Sequence, residues 1–316
     1  MSQDLFNQAD LLEVQGHLDR ALTLWRQIAA SNPTRNVFLR LGRCAEELGL
    51  LPDAQHAFTC ALEIDGRSTK ALVALGLLAI HQHNYAAAVD YLSRASALKE
   101  HPAILSVLGL ALRHTGHDQE SESAYRHALR LDPHYDEAHY NLGVLLRLTH
   151  RHTEAEVHLR IALELDPLFA PTHREFGFLL LEHGTDPEDT EAGHHLRQAV
   201  ALDPTDSWAH IYLGAYLSDF DTVAAAAEFH HAASLQPAWS FPLSRLGALY
   251  ESTDSALAQS YFDQALTLDP DDEDALLGLS RIFEQRGQPD LAQHYATRAL
   301  EQESSPGAGS AESSSA

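Results

Sequence analysis

The chain has 316 residues, 45% of them hydrophobic, and sets 21 Lys and Arg against 45 Asp and Glu for a net charge of −24. That balance excludes a basic nucleic-acid-binding or membrane-binding surface, and no apolar run reaches the ~18 residues a transmembrane helix needs. Two cysteines, Cys44 and Cys60, fall inside predicted helices, so free thiols and a reducing, cytoplasmic setting are expected. Met-Ser-Gln-Asp opens the chain without a basic, apolar leader, and no signal peptide is expected.

Helical patterning starts at once. Leu5, Ala9 and Leu12 mark a first helix and Ala21, Trp25 and Ile28 a second, with Gly16 in the turn between them. The next pair reads Leu41 and Ala45, then Ala54, Phe58 and Ala61, with Gly49 closing its first helix. A third pair has Leu75, Ala79, Ala88, Leu92 and Ala95, and a fourth Leu108, Leu112, Tyr125 and Ala128. The fifth has Leu142, Leu146, Ala155, Leu159 and Ala162. A sixth carries about three extra residues in an acidic turn, Gly184 to Thr190; it lacks EF-hand spacing and reads as a solvated turn. Trp208, Leu213, Leu217, Phe229 and Ala232 mark the seventh pair, Leu246, Tyr250, Phe262 and Ala265 the eighth. Leu279, Phe283, Ala292, Ala296 and Ala299 mark the ninth. Residues 303–316 are Ser-, Gly- and Ala-rich without an apolar face and are expected to be disordered.

The stretch Ala124 to Leu146 shows why these pairs form. Tyr125, Ala128 and Leu129 share one helix face. Pro133 ends that helix, because it lacks an N–H and disfavours the α conformation at Asp132. Asp136 and Glu137 then suit the first turn of a new helix. Gly143 inside that helix costs about 1 kcal/mol relative to Ala, which implies the close approach of a neighbouring helix. Leu-Gly or a near equivalent recurs at Leu41-Gly42, Leu75-Gly76, Leu108-Gly109, Phe176-Gly177, Leu213-Gly214 and Leu246-Gly247. Prolines recur at Pro33, Pro167, Pro204, Pro237 and Pro270. Gly66 stands where a proline is usual, Pro102 falls late, and the last unit has Ser280 at the glycine position.

This beat of 33 to 37 residues, with Leu-Gly-x-x-[Leu/Tyr], Ala-x-x-x-[Phe/Tyr/Leu]-x-x-Ala and a closing proline, resembles the tetratricopeptide repeat (TPR). The resemblance covers nearly the whole chain in about nine copies. It implies an all-α, right-handed superhelical solenoid of tandem helix-turn-helix repeats over residues 1–302. It also implies a non-enzymatic scaffold or adaptor that binds a partner protein or peptide through its concave groove or its ends. Two other readings stay open. The chain could be a substrate-recruiting subunit of a separate enzyme, since its units also resemble the repeat region of O-linked N-acetylglucosamine transferases, although no catalytic domain is expected in this sequence. It could instead be a self-assembling structural protein, because Leu291, Tyr295 and Leu300 leave an apolar end without a capping helix.

In the family, first-helix residues that do not face the core line the groove. Repeat alignment places Lys70, His81, Arg113, His114, Tyr140, Asn141, Arg147 and Arg174 on or near that wall. Arginine grips carboxylates and Tyr and Asn bond a peptide backbone, so an acidic or carboxylate-bearing segment is the expected ligand. The carboxylate clamp that some TPR domains use on chaperone tails is not matched: Ser106 and Leu110 precede Asn141, and Pro171 and Glu175 follow it. Twenty-one histidines are expected on solvated helix surfaces, with no HExxH or Cys/His zinc spacing and hence no metal. Full protonation would move the charge from −24 to −3, so self-association is expected to rise toward pH 5. No phosphate loop, GxSxG or nucleophile–base set is present, and neither catalysis nor a cofactor is expected. Splitting the chain after residue 158 leaves 14 basic against 19 acidic residues, then 7 against 26, so the second half carries most of the charge.

Overall fold

The computed structural model describes residues 2–183 and 190–303. The acidic turn after His183 and the tail after Glu303 lie outside the described residues. Among those described, the regular elements are eighteen α-helices, with no strand. The chain divides into two compact units, residues 1–149 and 150–316.

The first unit holds α1 (Ser2–Val14), α2 (Leu18–Ser31), α3 (Arg35–Glu47), α4 (Leu51–Ile64), α5 (Thr69–His81), α6 (Tyr85–Leu98), α7 (Pro102–His114), α8 (Asp118–Leu131) and α9 (Asp136–Leu148). The second holds α10 (His152–Leu165), α11 (Ala170–His183), α12 (Thr190–Leu202), α13 (Ser207–Leu217), α14 (Thr222–Leu235), α15 (Phe241–Tyr250), α16 (Ser255–Leu268), α17 (Glu273–Gln285) and α18 (Pro289–Glu303). Within each unit an odd helix pairs with the even helix after it, as in α3–α4, α7–α8, α13–α14 and α17–α18. Successive odd helices also touch, as in α5–α7, α7–α9, α11–α13 and α15–α17.

The glycines of the repeat sit where the sequence places them, at the crossing of each hairpin. A Cβ on Gly109 would fall 2.6 Å from the Tyr125 ring, and one on Gly214 would fall 2.6 Å from Phe229. Both rings are fully buried, so a methyl group there would overpack the hairpin. Ser280, which replaces the glycine in the last pair, donates its hydroxyl to the Ala292 carbonyl across the hairpin at 2.9 Å. Trp25 is fully buried and fills the core of the first pair.

Several of the turns between hairpins share one contact. The aspartate that precedes the proline accepts a hydrogen bond from the N–H two residues on, at Asp132, Asp166, Asp203 and Asp269. This Asx turn satisfies the N–H of the residue after the proline and fixes the turn that follows the even helix. Asp65 makes the same bond before Gly66, which explains how a unit without the proline still turns. Pro102 opens α7, with His101 as its N-cap accepting from Ala103 N–H. Inside the hairpins, Gly16, Gly49, Gly116 and Gly287 have φ of 66 to 75°, and His83 and His150 take the corresponding position at 55 and 58°.

Candidate functional site

In the first unit, the odd-helix face that even helices do not cover carries a recess of about 450 Å³. Asn36, Arg40, Arg43 and Glu46 line it from α3, Lys70 and Ala74 from α5, with Phe6, Leu39 and Phe58 as its apolar part. Asn36 and Lys70 occupy the same repeat position, six residues before Gly42 and Gly76. Spacings of three and four on α3 put Asn36, Arg40 and Arg43 on one face.

The charges are partly spent within the recess. Arg40 reaches Asp10, and Arg40 and Arg43 share the nearly buried Glu13. Burial and the neighbouring Arg43 hold Arg40 below its ordinary pKa, so a further anion beside it would be favoured. Glu46 is raised by burial, which favours its neutral form. Lys70 is exposed and makes no ion pair among the described residues. The recess therefore offers a free ammonium beside two guanidiniums.

The eight residues selected from sequence do not converge on one spot. Lys70 lies in the recess, and His81 is exposed at the end of the same helix. Arg113 and His114 are half-buried neighbours, with the Arg113 guanidinium donating to His114 Nε2 at 3.4 Å. His114 stacks flat on Tyr85 of α6, with centroids 4.1 Å apart, and burial followed by Arg113 pushes it down to about 4. Tyr140 is half-buried, and Asn141 donates to the Ser106 hydroxyl at 3.3 Å, a bond between α9 and α7. Arg147 is buried. Arg174 lies in the second unit, buried and held by Asp206 at 2.7 Å and Glu175 at 3.1 Å. Two carboxylates neutralise it, so it serves the hairpin stack.

The odd-helix face of the second unit is aromatic, which the sequence reading missed. Phe178 stacks on Tyr212 at 4.0 Å, and Trp208 meets Tyr212, Trp239 and Phe241 at 5.5, 4.8 and 5.7 Å. Arg245 lies over Phe241 at 5.9 Å. The signal lay in register: Trp208 and Phe241 stand six residues before Gly214 and Gly247, in the column that holds Asn36 and Lys70 earlier.

A column of histidines corrects the expectation that these residues are surface decoration. His139, His173 and His210, each four residues before the repeat glycine, are buried. Each places Nε2 about 3.0–3.1 Å from the carbonyl of the proline six residues earlier, Pro133, Pro167 or Pro204. A carbonyl only accepts, so Nε2 carries the proton. The other nitrogen differs. His173 Nδ1 faces His195 Nδ1 at 2.9 Å, a contact that two neutral rings satisfy with one shared proton. Burial and then His173 push His195 down to about 4. His210 Nδ1 faces Glu228 at 2.6 Å, an acceptor that favours the imidazolium, in which both ring nitrogens donate. Burial pulls His210 downward, but Glu228 and the Pro204 carbonyl together hold it above 6.5.

Among the described residues no three His, Cys, Asp or Glu side chains converge as a metal site, and no helix is long and apolar enough to cross a membrane. Cys44 is buried and Cys60 half-buried, and both are free.

Stacked helical hairpins with this glycine, Asx-turn and proline repeat define an α-helical repeat protein. Residues 5–132 match the family of the cilia and flagella-associated protein 70 middle TPR-like domain, and residues 107–168 and 249–308 match two tetratricopeptide repeat families. The chain belongs to the tetratricopeptide repeat proteins, with about nine tandem repeats. A tetratricopeptide repeat protein from Parabacteroides merdae is similar over 78% of this chain and 98% of its own, at 15% identity and a TM-score of 0.65. Human IFIT1, in a dimer with PPP-AAAA, is similar over 95% of this chain and 83% of its own, at 18% identity and a TM-score of 0.60. At these identities the likeness is one of fold. No curated protein matches the sequence.

Proposed function

We propose that the chain is a non-enzymatic cytoplasmic adaptor that binds an extended, carboxylate-bearing segment of a partner protein along its odd-helix face. The observation that carries this reading is the recess in the first unit, where Lys70 stands unpaired beside Arg40 and Arg43 over an apolar floor. Lys70 would meet the carboxylate as a point charge, Asn36 would bond the peptide backbone, and Leu39 and Phe6 would take an apolar side chain. Of the residues chosen from sequence, Lys70 is central to this site, and His81, Arg113, His114, Tyr140, Asn141 and Arg147 extend along the same unit. The human IFIT1 structure holds PPP-AAAA, but a net charge of −24 disfavours a comparable ligand here. Self-assembly is a second reading, supported by Leu291 and Leu300 of α18, which are 44% and 61% exposed.

The test compares native-cell capture by the unaltered chain with capture by Lys70→Glu and by the Arg113→Glu/Arg147→Glu pair. Lys70 is exposed and unpaired, so its reversal leaves helicity intact while a captured partner is lost. An unchanged set of captured proteins removes the proposal. Light scattering at two concentrations separates self-assembly from partner binding.

A further inference from the structure

We propose that the turn edge of the second unit docks an extended, arginine-bearing segment of a partner protein, whose guanidiniums stack on Phe169, Trp239 and Phe241 and reach the carboxylates of the last turn. Each turn between hairpins leads from the end of an even helix to the start of the next odd helix, so successive turns lie along one edge of the stack. In this unit they read DPLF, DPTD, QPAW and DPDD over residues 166–169, 203–206, 236–239 and 269–272, with six aspartates and no Lys, Arg or His. The corresponding turns of the first unit carry Arg67, Lys99 and His134. The acidic edge also holds accessible rings. Phe169 is exposed, and Trp239 and Phe241 are half-buried. Trp239 and Phe241 stack at 5.5 Å, and the buried Trp208 packs on both, at 4.8 and 5.7 Å.

The chain's own arginines show what this edge accepts. Arg245 lies over the Phe241 ring at 5.9 Å. Arg298 donates to the Pro270 carbonyl of the last turn at 2.6 Å. Arg174 meets Asp206 at 2.7 Å. A planar guanidinium stacks on a ring while its N–H groups reach a carboxylate or carbonyl, which a compact ammonium does less well, and the cation–π attraction grows where water is excluded. Two of the carboxylates are already engaged: Asp206 caps α13, and Asp272 caps α17 and accepts from the Ser244 hydroxyl at 2.8 Å. Asp271 and Glu273 are exposed and enter no ion pair among the described residues. Their charge, in a unit with 8 basic against 28 acidic side chains, attracts a cationic segment and repels an acidic one. This surface differs from the Lys70 recess in its residues and in the sign of its ligand, so the two readings stand or fall independently.

The experiment is fluorescence anisotropy of a fluorescein-labelled peptide, a fourfold repeat of Arg-Gly-Ser, titrated with the full chain beside a Lys-Gly-Ser peptide of equal charge. The arginine peptide is expected to bind, and the lysine peptide to bind several-fold more weakly. Phe169→Ala combined with Trp239→Ala should weaken the arginine peptide on the order of 10-fold, as loss of two partly desolvated cation–π contacts implies. Phe169→Ala alone removes an exposed ring and should still weaken it several-fold, which keeps the test valid if Trp239→Ala disturbs the helicity followed by circular dichroism. Asp271→Asn with Glu273→Gln should weaken binding too. The same charge change made by Glu164→Gln with Asp263→Asn, at exposed positions of α10 and α16, should not. Absence of binding at low salt overturns the proposal. So does equal binding of the two peptides, binding that survives loss of the rings, or an equal loss from the two charge-neutralised pairs.

Discussion

The two units share one repeat and carry contrasting chemistry on its odd-helix face. Residues 1–149 carry 13 basic against 17 acidic side chains, and residues 150–316 carry 8 against 28. The nearly neutral unit keeps a charged recess on its odd-helix face, while the strongly acidic unit fills the equivalent positions with Trp208, Tyr212 and Phe241. A repeat fold constrains the hairpin contacts and leaves the odd-helix face free to vary, so binding chemistry can change along a chain whose core does not. Net charge is therefore a poor guide to where cations gather, because Arg174 in the acidic unit is consumed by two carboxylates whereas Lys70 in the other unit is free.

The largest test of this contrast is truncation of one residue on each face. Trp208 is buried and touches three aromatic rings, and Trp208→Ala is expected to cost about 3–5 kcal/mol. Lys70→Ala, in the same repeat column, should stay within about 0.5 kcal/mol, as exposed substitutions do. Urea unfolding followed by circular dichroism measures both. Equal effects would mean that the aromatic face is as solvent-supported as the charged one.

Acid and base separate the units next. Each holds a half-buried histidine at about 4, His114 in the first and His195 in the second. As pH falls from the unfolded value near 6.5 toward 4, the unfolded chain takes up protons that these folded rings refuse, so stability falls over that window. His210 works in the opposite sense. Its folded pKa is raised, so its contribution is complete below about 6.5 and is lost as pH rises through the folded value. His210→Gln should cost about 1.5–3 kcal/mol at pH 6, the range for hydrogen bonds to a charged group, and progressively less in alkali. A cost that is flat from pH 6 to 9 would show that His210 is neutral.

The hairpins were legible in the sequence because glycine, proline and alanine report backbone geometry and close packing directly. Departures such as Gly66 and Pro102 did not mislead, since Asp65 and His101 supply the same turn and cap chemistry. The site was legible only in part. Lys70 could be picked out as an isolated cation, but Arg174 looked equally available until its partner Asp206, 32 residues away, was placed. Arg40 and Arg43 went unselected because the wall was drawn from unit three onward, although the same register places them there. The buried histidines carry no local signature, and their position four residues before the glycine acquires meaning only once the preceding proline carbonyl is seen to fold back over them.

The smallest effect probes what the units hold in common. The turns after α1, α3, α5, α7, α9 and α17 each hold a residue at positive φ, glycine at four of them and His83 and His150 at two. An L-residue in that region pays roughly 1–2 kcal/mol, whereas glycine adopts it freely but has more entropy to lose from the unfolded chain, roughly 0.5–1 kcal/mol. His83→Gly and His150→Gly should therefore each stabilise the chain by up to about 1 kcal/mol, read as a small rise in the urea midpoint. His83 should gain less, because its Nδ1 contact with the Tyr85 hydroxyl at 3.2 Å is lost, whereas His150 gives up a tilted ring contact with His152 at 5.8 Å. Destabilisation by both substitutions would mean that the histidine side chains contribute more than the strain they impose, making these two turns specialised positions in an otherwise uniform array.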